Sequence, residues 1–286
     1  MSRFSGLSIG IYEKALPSNI TWAERLAQAV EAGFDFIEMS LDPTPERLGR
    51  LDWSSAQRHE LRRAVEDTGI PIRTLCLSAH RNYPLGCANA TVRQRGLAIL
   101  RQTIDLAVDI GIRIVQVAGY DTLPDETPDE YSRERYEDAV WQGVLWASAR
   151  GVLLGLENQE AGYIDSAVTA VGVIEKINSP YLRLYMDIGN LVVNRRDVLH
   201  EIAAARGHLV GIHVKDARPD VPRRVPFGEG EVPFSAAFRQ LAAIKFCGPV
   251  MIEMWNDDRA ESAALCAAAR SWVENRLMEA GFQPEV

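Results

Sequence analysis

Along the 286-residue chain, short apolar runs alternate with longer stretches whose apolar positions return at helical spacing, and most of those stretches stop at a glycine. The runs at 7–11, 36–40, 71–78, 112–117, 153–157, 182–187, 210–216 and 250–253 read as strands, being rich in Val, Ile and Leu and too short for buried helices. Helices are expected over 22–32, 55–68, 91–110, 131–150, 166–177, 196–205, 234–244 and 259–278, with Ser54 as an N-cap and Gly33, Gly69, Gly111, Gly151 and Gly207 as stops. Residues 123–129, with Pro124, Pro128 and several acids, read as an exposed loop. Strict alternation of this kind implies parallel strands joined by right-handed crossovers. Eight such units fit an α/β fold, a closed (β/α)8 TIM barrel occupying residues 1–286 as a single domain. A doubly wound open sheet has less support, because no Gly-x-Gly-x-x-Gly follows the first strand and no Walker loop is present.

Four of the later runs end in a polar residue able to bind metal: Glu157, Asp187, His213 and Glu253. A buried charge without a partner costs on the order of several kcal/mol, so charges delivered by apolar strands need one. In a parallel barrel all strand ends of one polarity meet at one mouth, which would bring these four to one arc of the rim. Taken singly, a strand-end Glu is as often a cap or an ion-pair partner, and a lone His is more often hydrogen-bonded in a core. Taken together, three carboxylates and an imidazole at successive strand ends suit a divalent metal ion, Mn, Co, Zn or Mg.

Composition narrows the partners. A net charge of −8 argues against nucleic acid and against an anionic membrane surface, because no broad basic face is available to meet phosphates. Cys76, Cys87, Cys247 and Cys266 are scattered without a Cys-x-x-Cys pair, which favours free thiols. The first six residues lack the apolar core of a signal peptide, and no apolar run approaches a membrane span, so a cytoplasmic protein is expected. Val140, Trp141, Val144 and Trp146 crowd one helix and leave room for a homodimer or homotetramer, although burial against the barrel explains most of them equally well.

Glu157, Met186-Asp187-Ile188-Gly189-Asn190, His213-Val214-Lys215-Asp216, Pro226-Phe227-Gly228-Glu229-Gly230 and Ile252-Glu253-Met254-Trp255, in that order, resemble the motifs of the xylose-isomerase-like barrel family. Further motifs, from Gly10-Ile11-Tyr12-Glu13-Lys14 through Phe36-Ile37-Glu38-Met39-Ser40 and Cys76-Leu77-Ser78-Ala79-His80-Arg81 to Gln116-Val117-Ala118-Gly119-Tyr120-Asp121, extend the resemblance over nearly the whole chain. The chain is most similar to the L-ribulose-5-phosphate 3-epimerase (L-xylulose-5-phosphate 3-epimerase) branch. That resemblance implies an isomerase, a metal-dependent 3-epimerase of a ketose phosphate. Glu157, Asp187, His213 and Glu253 would then be the ligands, and Glu157 and Glu253 would double as the acid/base pair across an enediolate.

Substrate contacts follow less directly. His80 and Arg81, Gln116, Tyr120, Asn190, Lys215 and Arg218 are the candidates for sugar or phosphate, each with a structural hydrogen bond or a solvated loop as the alternative. Glu13 is equally a rim acid. Phe227-Gly228-Glu229-Gly230 is either an anion cradle or a tight turn, and Trp255 is placed to pack against sugar or a partner subunit. The branch typically carries Met-Asp-x-Pro-x-Met-Asn-Ser after the fifth strand, whereas this chain has Asn158-Gln159-Glu160-Ala161-Gly162-Tyr163-Ile164-Asp165-Ser166. A free-ketose 3-epimerase or an aldose-ketose isomerase therefore stays open. Asn190 stands where free-ketose enzymes usually carry a His, which points back toward phosphate. A barrel endonuclease would need more His ligands than this chain supplies, and a non-catalytic sugar binder would not need both Glu157 and Glu253.

Overall fold

The computed structural model describes residues 4–256 and 261–284. Among the described residues, ten strands and ten α-helices follow in chain order. They are β1 (Leu7–Tyr12), α1 (Trp22–Glu31), β2 (Phe36–Ser40), α2 (Pro45–Leu48), α3 (Ser55–Thr68), β3 (Ile72–Leu77), α4 (Ala90–Ile110), β4 (Ile114–Ala118), α5 (Ser132–Arg150), β5 (Leu153–Glu157), α6 (Ala167–Ile177) and β6 (Leu182–Asp187). Then come α7 (Ile188–Val193), α8 (Val198–Ala204), β7 (Leu209–Val214), β8 (Asp216–Arg218), β9 (Val221–Val225), α9 (Phe234–Ala243), β10 (Gly248–Ile252) and α10 (Ser262–Glu279).

Eight of the strands close a parallel barrel in the order β1-β10-β7-β6-β5-β4-β3-β2. The strands are apolar on both faces because one face fills the barrel and the other lies under the helices. Ile9, Ile37, Val115, Leu154, Leu184, Ile212 and Val250 are all buried to 1% exposure or less. The helices start where the side chains cap them. Thr21 and Ser54 each accept from the third backbone N–H of their helix, closing capping boxes with Glu24 and Gln57. Gly111, at φ 94°, and Gly151, at φ 68°, end α4 and α5 in the left-handed conformation that a side chain resists.

The expected alternation holds, and the departures have local causes. The predicted 196–205 helix is α8, and it is preceded by α7, which the apolar pattern merges with the end of β6. Asp187 itself starts that short helix, its Oδ1 accepting from Asn190 N at 3.0 Å. β3 ends at Leu77, and His80 and Arg81 sit in a single 3-10 turn, Ser78–Arg81. The cationic stretch after β7, read from sequence as a solvated loop, is the antiparallel ribbon β8–β9. The expected beginning of the last helix at Arg259 lies outside the described residues. The four cysteines are free thiols. Among the described residues no helix is long and apolar enough to cross a membrane.

Candidate metal and acid/base site

β5, β6, β7 and β10 lie side by side in the barrel, so the residues at their C-terminal ends share one arc of its mouth. Asp187 is in register with His213, and Glu157 closes β5 opposite Ala118. One ligand atom from each of Glu157, Asp187 and His213 lies within 4.8 Å of the others, and all three residues are buried. Glu253 follows β10 and is tied in by Lys215, whose Nζ is 2.9 Å from Glu253 Oε2 and 2.6 Å from Asp187 Oδ2. Lys215, expected from the sequence to meet substrate, is thus an internal counter-ion of the cluster. It also stands 5.8 Å from the ring of Trp255.

His213 is held from both sides. Its Nδ1 is 2.8 Å from Glu157 Oε1 and its Nε2 is 2.9 Å from Glu38 Oε1. Glu38, in the middle of β2, is in turn fixed by Thr74 Oγ1 at 2.6 Å and by the Tyr185 hydroxyl at 3.0 Å. The sequence reading missed this residue, although its signal was the same as that of Glu157: a lone charge inside an apolar run. Glu157 Oε2 accepts from the side-chain amides of Gln116 and Gln159. Asn158 pins β5 to β6 by accepting from Asp187 N and donating to Asp187 O, both at 2.9 Å.

Distance and direction disagree in this cluster, and the disagreement is informative. Both ring nitrogens of His213, Asp187 Oδ2, Glu253 Oε2 and Glu38 Oε1 stand at ion-pair distance yet lack a partner in hydrogen-bond alignment. Buried polar atoms are ordinarily satisfied. Four carboxylates also face only His213 and Lys215, an excess of negative charge in a desolvated pocket. Both features fit a divalent cation, which takes carboxylate and imidazole donors without needing their hydrogen-bond axes.

The charge balance shows in the protonation of each group. Burial pushes Asp187 up to about 7, against the pull of Lys215. Burial likewise raises Glu157, which His213 only partly offsets. Glu253 is lowered, because Lys215 and His213 outweigh its desolvation. Burial disfavours charge on His213, but Glu38 and Glu157 overcome it and hold the ring protonated.

The other predicted contacts divide. Gln116 reaches the cluster through Glu157. Asn190 is buried beside Asp187, its amide donating to Asn158 O at 2.9 Å. His80 is fully buried with a ring nitrogen 3.2 Å from Gly96 O, facing α4 and not the mouth. Arg218 donates to Glu229 O at 3.0 Å on the ribbon. Glu13 is locked by Arg50 at 2.6 Å and by Ser40 N at 2.8 Å. The glycine-rich turn does cradle an anion, which is the protein's own Asp216: its Oδ2 accepts from Gly228 N at 2.8 Å and Gly230 N at 2.9 Å. Arg81 and Tyr120 meet at the mouth, where Arg81 stacks 4.8 Å from the Tyr120 ring centre.

Residues 26–276 match the sequence model of the xylose isomerase-like TIM barrel family. The chain belongs to that family. Its relatives include the L-ribulose-5-phosphate 3-epimerase UlaE of Escherichia coli O139:H28, 46% identical over 276 residues that cover 96% of this chain and 97% of that protein. The counterpart of the same name in Salmonella heidelberg is also 46% identical. Among solved structures of the fold, a D-allulose 3-epimerase from Methylomonas sp. superposes with a TM-score of 0.80 at 17% identity, covering 96% of this chain and 98% of that one. An L-ribulose 3-epimerase superposes with a TM-score of 0.78 at 24% identity, covering 96% and 95%. At such identities these two likenesses concern the fold.

Proposed function

We propose that this family member is a metal-dependent 3-epimerase of a ketose phosphate that interconverts L-xylulose 5-phosphate and L-ribulose 5-phosphate. The observation that carries the reading is the placement of Glu157 and Glu253 at the ends of β5 and β10, on either side of the strands that bear Asp187 and His213. Inverting C3 of a ketose means removing the proton next to the C2 carbonyl from one face and returning one to the other face. Two carboxylates on different strands meet that requirement, where a single base would return the proton to its own side.

Their environments differ in the useful direction. Lys215 keeps Glu253 ionised and ready to accept a proton, whereas burial favours the protonated form of Glu157. The roles exchange in the reverse reaction. Gln116 and Gln159 orient the Glu157 carboxylate, and Glu38 orients His213. Glu157, Asp187, His213 and Glu253 would hold a divalent ion, Mn, Co, Zn or Mg, which would supply electrostatic stabilisation to charge gathering on the C2 and C3 oxygens. Under this reading residues 1–286 work as one cytoplasmic barrel domain. The half-exposed Trp141 and, one turn on, the exposed Leu145 of α5 are then apolar positions available for a homodimer or homotetramer contact.

Proton exchange followed by NMR tests the proposal. Metal-loaded protein in D2O is expected to place deuterium at C3 of L-xylulose 5-phosphate and to produce L-ribulose 5-phosphate. Deuterium at C1 would instead make the protein an aldose-ketose isomerase, and exchange confined to phosphate-free ketoses would reject the phosphorylated substrate.

A further inference from the structure

Between β5 and β6 the barrel ladder stops just short of two of the ligand candidates. Its last rung joins Leu156 to Leu184, one residue before Glu157 and three before Asp187. Beyond that rung Glu157 stays paired with β4, opposite Ala118, and Asp187 stays paired with β7, opposite His213. A seam therefore separates the two carboxylates, and among the described residues no strand pairing crosses it at their level.

Side-chain amides cross it instead. Asn158 accepts from Asp187 N and donates to Asp187 O, so that one amide reproduces both bonds of a ladder rung. From the far side, Asn190 in α7 donates to Asn158 O at 2.9 Å. Asn194, which caps the end of α7, donates to Gln159 O at 2.7 Å and to Asp165 O at 2.8 Å. Asp187 closes the circuit by accepting from Asn190 N at 3.0 Å, and Gln159 holds Glu157 itself.

We propose that Asn158, Asn190 and Asn194 form an amide clamp that fixes the spacing of Glu157 and Asp187 and thereby sets which divalent ion the site prefers. This rests on the metal-dependent reading for its ligand and on the seam between β5 and β6 for its place. Raw affinities of divalent ions for a given donor set follow a common order, so a preference of the protein's own must come from the spacing and rigidity of its donors. The spacing of Asp187 and His213 is held by strand register, whereas that of Glu157 and Asp187 depends on the three asparagines. In these contacts their side chains bond backbone groups, which makes them positioning residues and not ligands. Asn158 and Gln159 also open the stretch in which the sequence departs from the epimerase branch, so the departure begins at the metal centre.

Calorimetric titration of chelator-treated protein with Mn and with Zn tests the clamp without turnover. Asn158→Ala is expected to bind both ions about 10- to 100-fold more weakly than the unaltered protein. The ratio of its Zn affinity to its Mn affinity should change by at least about fivefold, because donors freed from the clamp no longer impose one geometry. Asn194→Ala, altered at the part-buried end of the clamp, should move the ratio in the same direction by less, and it keeps the test decisive if Asn158→Ala does not fold. The visible absorption of bound Co should shift in both variants, since it reports donor geometry. A lower Tm with the affinity ratio and the Co spectrum unchanged would make the asparagines merely structural and overturn the clamp. An unaltered protein that binds none of the three ions would reject the metal-dependent reading and the clamp with it.

Discussion

Glu38 shows what a single side chain contributes to this site. It touches no strand-end carboxylate, yet it fixes one nitrogen of His213 and so leaves the other to face Glu157. Partners of this kind set the orientation and basicity of a ligating imidazole. Glu38→Gln is expected to keep the fold and to weaken divalent-metal binding about 10- to 100-fold in a metal titration. Wild-type affinity in that variant would mean that the packing of Tyr185, edge-on to the imidazole at 4.7 Å, orients the ring unaided. His80 makes a different prediction, because burial holds its pKa down to about 4 while the unfolded chain protonates near the ordinary 6.5. Above both values neither state gains a proton and stability is complete. As pH falls through that window only the unfolded state takes one up, so stability drops, by on the order of 3 kcal/mol in all. Urea unfolding between pH 7 and pH 4.5 should show a shallower loss in His80→Gln than in the parent. Equal slopes would remove His80 from the account of acid lability.

Among the elements, the ribbon β8–β9 matters most, since it holds Arg223 over the mouth. Its anchor is Asp216, whose carboxylate collects backbone N–H groups from Gly228, Gly230 and, at 3.3 Å, Val232. The glycines leave room for that approach: a Cβ on Gly230 would stand 2.0 Å from Asp216 Oδ1. Asp216→Ala strands those donors and is expected to lower stability by about 2 kcal/mol or more. It should also speed proteolytic nicking between β8 and β9, and a variant as stable and as resistant as the parent would contradict this anchoring role. The sequence made the turn visible through its glycines but left its occupant open between substrate and self. Local spacing specifies that an anion can be cradled, and only the chain's return from β8 decides which anion it is.

At the scale of the whole molecule, the barrel converges four carboxylates, Glu38, Glu157, Asp187 and Glu253, on a buried cluster in which they pair only with His213 and Lys215. A divalent ion that binds only the folded state adds stability by mass action, about 2.7 kcal/mol at a hundredfold excess over Kd. Chelation should accordingly lower Tm by several degrees, and readdition of Mn, Co, Zn or Mg should restore it in the order of their affinities. An unchanged Tm would argue against a resident metal. Because burial holds Asp187 near 7 and the two carboxylates keep His213 protonated, metal must displace protons from the cluster. Metal affinity is therefore expected to climb with rising pH through neutrality and to fall in acid. A pH-independent affinity would place the ion elsewhere.

Much of this was determined by the sequence alone. Eight apolar runs separated by amphipathic helices favour a barrel over a doubly wound open sheet, and in a barrel the tips at Glu157, Asp187, His213 and Glu253 face one mouth, because parallel strands share their polarity. Those are consequences of local pattern and chain direction. The pairings within the mouth were decided by the tertiary structure. Lys215 turned inward to Asp187 and Glu253, His80 turned away to Gly96, Glu38 became the support of His213, and Arg81 and Arg223 met on Glu160. Each joins residues far apart in the chain whose distance depends on barrel register and on the paths of the loops, and a charge flanked by apolar neighbours reads the same in sequence whichever partner the closed barrel brings to it.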